Sequence, residues 1–167
     1  MRSAQIALGR RLVVALEPGE EVLASIAALC EEHQFLAAVV PVFFGAFTQV
    51  ALIGTREPVA DENSPLPRSE TVEWVEGLGA ATVAAGGEGS GLVVHLHAAV
   101  GRKSAGAAAY AGHVLSAVTH YTAEILIEEV LGPPVRRSPD PAAYGIPTLR
   151  FGAATTTCGA PTLFERK

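Results

Sequence analysis

FLAAVVPVFFGAFTQVALI, residues 35–53, is the stretch that decides the fold, because nineteen residues pass without a charged side chain. An apolar run of about 18 residues or more is long enough for a membrane-spanning helix. Pro41 and Gly45 interrupt this run, however, and its four valines favour strands. We therefore predict two buried strands joined around Gly45 and no membrane segment, with a spanning helix as the alternative.

The overall composition also indicates apolar surface that must be covered. Hydrophobic residues make up 49% of the 167 residues and charged residues only 17%, so few side chains are left to form a polar surface. A chain of this length forms one domain with a sizeable core. We expect the remaining apolar surface to be covered by copies of the same chain rather than by lipid.

The charge balance argues against a nucleic-acid partner. The net charge is −5, and positive residues cluster only as the pairs Arg10-Arg11, Arg102-Lys103 and Arg136-Arg137, which are typical of solvated surface. Attraction to the phosphate backbone requires more extensive clustering of Lys and Arg. We therefore predict no measurable binding to duplex DNA at moderate salt.

The two cysteines, Cys30 and Cys158, form no spaced framework, which is typical of a reducing cytoplasm. Cys30 falls on the apolar face of a predicted helix and is expected in the core, whereas Cys158 lies near the end of the sequence. We predict no disulfide between them and a cytoplasmic location.

Sequence patterns divide the chain into one helix and several strands. Residues 20–33 are the predicted helix, with two glutamates in the first turn and apolar residues at helical spacing. The other predicted strands are residues 11–16, 71–75, 80–85, 92–100 and a last one from Thr119, with a loop at 57–68 and a hairpin turn at 86–91. This order predicts the α+β class: a mixed, mostly antiparallel β-sheet sandwich packed with one main N-terminal helix.

We place an N-terminal extension at residues 1–10, one domain at 11–132 and a C-terminal arm at 133–167.

The strand predicted at residues 92–100, LVVHLHAAV, carries the strongest indication of chemistry. His95 and His97 are two positions apart, so their side chains project from the same face, and His113 follows Ala111-Gly112. Neutral imidazole is a common zinc ligand, and three of them leave the fourth position of a tetrahedral ion open for water or a substrate. We therefore predict that His95, His97 and His113 bind a divalent transition metal, zinc foremost. The alternative is three polar residues on the solvated face of a sheet.

The other two histidines have different interpretations. His120 is an alternative third or fourth ligand, although its flanking residues are typical of a simple strand face. His33 is interpreted as a residue at the end of the predicted helix.

These motifs, together with RLVVALEPGE at residues 11–20 and Thr122-Ala123-Glu124-Ile125, resemble the PPC (plants and prokaryotes conserved) domain family over about residues 11–132. The resemblance implies a PPC-like sheet with one helix, a homotrimer, and a metal held by the His-x-His and Gly-Gly-His signatures near a subunit interface. It also implies the family's description as candidate DNA-binding proteins, although the Arg-Gly-Arg-Pro AT-hook of plant members does not occur here. The chain departs from the family pattern in Ala111, which replaces the first glycine of Gly-Gly-His, and in Val42-Phe43-Phe44-Gly45-Ala46, which replaces a Ser-Gly-Ile-Gly-like stretch. The glycine- and alanine-rich insertion before His113 and the C-terminal arm are further departures.

Three functions are compatible with these observations. The first is a trimeric metal-binding module of PPC type, a candidate DNA-binding or regulatory protein without an AT-hook of its own, with a small-molecule ligand at the metal. The second is a metal-dependent hydrolase or lyase that uses the open position of the three-histidine site, with Glu76 or Glu124 as proton carrier. The third is a purely structural trimer in which the histidines bind no metal.

Overall fold

The computed structural model describes residues 1–61, 63–65, 68–87 and 90–152 of the chain. Within these residues the chain is mostly strand, and each strand is longer than the apolar runs alone indicate. The elements are β1 (Ala7–Leu16), α1 (Val22–Glu32), β2 (Ala37–Ile53), β3 (Ser69–Ala85), β4 (Leu92–Arg102), β5 (Ala109–Gly132), β6 (Val135–Pro139), a 3₁₀ helix (Pro141–Ala143) and β7 (Pro147–Phe151).

Four of these strands close into a barrel. β5 pairs with β2, β2 with β3, β3 with β4, and β4 pairs again with β5, always antiparallel. β1 pairs with residues 123–132 at the C-terminal end of the long strand β5, whereas β4 pairs with residues 109–113 at its start. The predicted α+β sandwich with a main helix is therefore wrong, because the chain is mostly β and its sheet closes on itself. Alternation along a strand predicts which face is buried but not which edges join.

β2 is one continuous strand, so the prediction of two strands joined around Gly45 is also wrong. Gly45 pairs with Gly77 on one side and with Ala123 on the other. A Cβ atom at this position would lie 2.5 Å from the carbonyl oxygen of Thr122, so the glycine permits a close approach of β5 rather than a turn. The interruption at Pro41 coincides with a register shift between Val40 and Phe43. In the described part of the chain, no helix combines the length and apolar character needed to cross a membrane.

The predicted helix is confirmed as α1, which contacts β4 and β5. The Glu21 side chain caps its start by accepting from the backbone N–H of Ala24 at 2.7 Å, and it also accepts from that of Ala117 in β5 at 2.9 Å. Cys30 is fully buried in the core, as predicted, and His33 is the C-cap residue of the helix. Cys158 lies outside the described residues.

Residues 135–151, which the composition assigns to an extended arm, form a β-hairpin of β6 and β7. The hairpin meets the barrel through a parallel bridge between Arg136 and Ala85 of β3. This contact places the hairpin beside the outer face of β3 and β4.

Candidate metal centre

His95 and His97 lie on the outer face of the barrel. Along β4 the side chains alternate, so Leu96 and Ala98 are buried in the core while the two histidines point away from it. His113 belongs to β5 and pairs directly with His97 across the two strands. The hairpin connection between β4 and β5 thus brings the third imidazole to the other two.

The three imidazoles converge. The ring centroids are 5.1 Å apart for His95 and His97, 4.8 Å for His95 and His113, and 5.3 Å for His97 and His113. One potential ligand atom from each side chain lies within 4.8 Å of those of the other two. Nitrogens bound to one tetrahedral zinc ion are about 3.4 Å apart, a spacing that follows from bonds of about 2.1 Å. Small side-chain rotations therefore separate this arrangement from a three-nitrogen donor set, and the residues fit the metal.

Burial and neighbouring positive charge favour the neutral form of two of these rings, those of His95 and His113. Burial lowers the pKa of His95 to about 4, and the nearby Arg137, His113 and His97 add to this effect. Burial, His97 and Arg137 also lower the pKa of His113. At neutral pH these two rings therefore carry an unprotonated nitrogen, which is the form that binds a metal.

The histidines line a cavity of about 520 Å³. One wall belongs to the C-terminal hairpin, and most of the other lining side chains are apolar. The lining residues are Ile53, Pro65, Val93, Val94, His95, His97, His113, Arg137, Ile146 and Pro147. The size falls within the range of small-molecule pockets, about 300–1,000 Å³.

Arg137 is the cavity-lining residue that the sequence does not reveal, because the pair Arg136-Arg137 is typical of solvated surface. Its neighbour Arg136 is exposed, but Arg137 points inward and is only 6% exposed. Its Nη2 donates to Thr82 Oγ1 at 2.5 Å and its Nη1 to the carbonyl oxygen of Pro147 at 3.2 Å. The alternation of a strand from Val135 was the one available signal, and the surrounding prolines obscured it.

The other candidate residues lie elsewhere. His120 contacts Trp74 and Tyr121 and is not part of the histidine cluster. Glu76 pairs with Lys103 at 3.0 Å, Glu124 is exposed on β5, and neither lines the cavity. The proposed proton carriers are thus not beside the histidines.

The fold and the three-histidine cluster both agree with the family indicated by the sequence motifs. The family model of the Plants and Prokaryotes Conserved (PCC) domain matches residues 4–131, most of the chain. The chain belongs to this family. This is the plants and prokaryotes conserved family, abbreviated PPC or PCC, so the resemblance noted from the sequence is confirmed. No curated protein matches this chain significantly.

Solved structures share the fold of this PCC protein. A plant- and prokaryote-conserved protein from Pyrococcus horikoshii is 18% identical with a TM-score of 0.72, covering 89% of this chain and 97% of that one. A metal-containing protein from Archaeoglobus fulgidus is 19% identical with a TM-score of 0.71, covering 87% and 97%. A candidate DNA-binding protein from Bacteroides thetaiotaomicron is 21% identical with a TM-score of 0.65, covering 89% and 99%. At these identities the likeness establishes the fold.

Proposed function

We propose that this PCC-domain protein is a homotrimeric metal-binding module in which His95, His97 and His113 hold one divalent transition metal, zinc foremost. The observation that carries the proposal is the convergence of one ligand atom from each histidine within 4.8 Å. The bound ion would supply a Lewis-acidic position open to one further ligand. The similarity to a metal-containing archaeal protein of the same fold supports the proposal.

A binding role fits the cavity better than hydrolase or lyase activity. Among the described residues that line the cavity, none is an aspartate or glutamate. Both glutamates considered as proton carriers lie outside it. General acid–base chemistry requires a titratable side chain within hydrogen-bond reach of the reacting atoms, and with the three histidines bound to the metal the described lining offers no other such group at neutral pH. We therefore propose a module that holds a small-molecule ligand.

Self-association is supported by an apolar stripe on the outside of the barrel. The stripe crosses four strands through the pairs Val13–Leu126, Val42–Leu126 and Phe44–Leu78. Val13, Phe44 and Leu78 are 83%, 47% and 59% exposed. Exposed apolar side chains that run together across a sheet favour contact with another copy of the chain. A trimer is the assembly that the PPC resemblance implies, so we propose this outer stripe, residues Val13, Val42, Phe44, Leu78 and Leu126, as its contact surface.

The proposal does not extend to DNA. Much of the positive charge is neutralised by carboxylates of the same chain. The ion pairs are Arg2–Asp140, Arg10–Glu129, Arg11–Glu128, Arg56–Glu70, Lys103–Glu76 and Arg150–Asp140. With a net charge of −5, this pairing leaves little cationic surface for a phosphate backbone.

Metal analysis of protein purified without a histidine tag tests the proposal. We expect about one transition metal ion per chain by inductively coupled plasma mass spectrometry, removed by chelator and restored by Zn²⁺. Folded protein that contains no metal and takes up no Zn²⁺ would contradict the proposal and leave the structural trimer.

A further inference from the structure

Arg137 is a buried cation whose charge has no partner among the described residues. It is 6% exposed, and no carboxylate in the described part of the chain forms an ion pair with it. Removing a charge from water without a counter-charge is costly. An arginine in this position is therefore expected to have an anionic partner other than the described residues.

The guanidinium also has unused donors. Two of its five N–H groups donate, to Thr82 and to the carbonyl oxygen of Pro147. Its Nε is buried and has no hydrogen-bond acceptor within the described residues. The planar fork of a guanidinium matches the two oxygens of a carboxylate.

The position of Arg137 links it to the three histidines. Thr82, which accepts its hydrogen bond, pairs in register with His95 on the neighbouring strand. Arg137 and all three histidines line the same cavity. A divalent metal ion at the histidines would add two further positive charges to this cavity, where the described lining has no negative charge.

The walls limit the kind of anion that fits. Besides the histidines and Arg137, the cavity is lined by apolar side chains, including Ile53, Val93 and Ile146. These walls favour a ligand with an apolar body. A guanidinium fork matches carboxylate and phosphate oxygens alike. The apolar walls favour the carboxylate, because they would leave the remaining oxygens of a phosphate without hydrogen-bond donors.

We infer that this cavity binds a small organic acid, with its carboxylate between Arg137 and the cation at the histidines and its apolar body against the aliphatic walls. The inference rests on the metal centre proposed above and names the class of ligand that this centre takes. Arg137 is then a ligand-binding residue contributed by the C-terminal hairpin.

Anion titration of the Co²⁺-loaded protein tests the inference, because the visible absorption of Co²⁺ changes when its ligands change. The probes are butyrate, acetate and inorganic phosphate. The variants are Arg137→Met and, as a matched control, the exposed neighbour Arg136→Met. We expect butyrate to change the wild-type spectrum saturably and to bind about tenfold more tightly than acetate, because its two additional methylene groups contact the apolar walls. Phosphate is expected to bind more weakly than butyrate.

The substitutions identify the partner of the anion. Arg137→Met is expected to weaken butyrate binding at least about tenfold, Arg137→Lys to retain part of the affinity, and Arg136→Met to leave it unchanged. Equal butyrate affinity in folded Arg137→Met and Arg136→Met would overturn the inference, as would phosphate binding more tightly than butyrate.

The wild-type protein alone separates the two proposals. If Co²⁺ binds at one ion per chain and butyrate produces no saturable change, the organic-acid inference is wrong and the metal centre stands. If the folded wild type binds no Co²⁺, both are wrong.

Discussion

His97 is the residue on which the candidate metal centre depends most directly. His97 lies next to His95 on the outer face of β4 and opposite His113 in β5. It is therefore the residue that connects the other two histidines. Loss of its imidazole would leave two nitrogens, too few to replace the solvent shell of a zinc ion effectively.

We predict that His97→Ala lowers the affinity for Zn²⁺ at least about a hundredfold, since even the loss of residues that only support a ligand costs 10–100-fold in other metal sites. The measurement is a competition titration with a chromophoric chelator. His120→Ala is the matched control, because His120 lies with Trp74 and Tyr121 outside the cluster, and it should retain wild-type affinity. A large loss in the control, with His97→Ala unaffected, would favour the alternative ligand.

Single residues were predictable to different degrees. The convergence of His95 and His97 follows from strand alternation alone, and the short return to β5 explains His113. Arg137 was not predictable in the same way, because its burial depends on where the hairpin of β6 and β7 docks. Arg137 contacts Thr82, which is 55 residues away in the sequence, and such a distant contact leaves no local sequence pattern.

Among the strands, β3 shows how closely the barrel is packed. A Cβ atom on Gly79 would overlap the carbonyl oxygen of His97 and the ring of Phe43. The barrel wall at this point therefore has room only for a hydrogen atom, and the carbonyl oxygen in this contact belongs to His97 of the candidate metal centre.

Gly79→Ala is expected to destabilise the protein by about 1–3 kcal/mol, the usual cost of overpacking a core. The free energy of unfolding, measured by urea denaturation, checks this value. Gly54→Ala is the control, because a Cβ there meets no atom within 4 Å, and its effect should be small. Equal stabilities for the two variants would contradict the close contact.

The connection of β1 to β5 gives a prediction about pH. Arg10 donates to both carboxylate oxygens of Glu129, at 2.9 and 2.8 Å, and this contact lowers the pKa of Glu129 from 4.5 to about 2. Because the pKa is lower in the folded protein, the stabilisation is complete above about pH 4.5 and is lost as the pH falls toward 2.

We therefore predict that the difference in Tm between wild type and Glu129→Gln is largest above pH 4.5 and shrinks toward pH 2. Thermal unfolding across this range measures it, and Glu73→Gln, at an exposed position, should show no such trend. A difference that stays constant with pH would show that Glu129 contributes only through packing.

The elements were predicted better than their connections. Helical spacing located α1 correctly, and β2 was recognised as strand in spite of its membrane-like length. Its continuity through Gly45 was missed, because glycine is typical both of turns and of close strand contacts. Closure of the barrel depends on β4 pairing on both edges, a relation between distant segments that no local window contains.

For the molecule as a whole, the outer stripe predicts the state of assembly. We expect the wild type to have a mass in solution of about three times the 17.3 kDa of one chain. Phe44→Asp places a charge in the middle of the stripe and should shift the protein to the monomer, since a buried unpaired carboxylate is costly. Size-exclusion chromatography with light scattering measures both.

Leu36→Asp is the matched control for this experiment. Leu36 is 82% exposed and lies outside the outer stripe, so the same change there should leave the trimer intact. A monomeric wild type, or a Phe44→Asp variant that remains trimeric, would contradict the proposed contact surface.

Anomalous diffraction at the zinc edge from crystals of untagged protein tests the central claim most directly. The account predicts one strong peak per chain between His95, His97 and His113, with zinc–nitrogen distances of about 2.0–2.1 Å. Crystals soaked in Zn²⁺ that show no peak at these rings, with the imidazoles directed to separate regions of solvent, would contradict it.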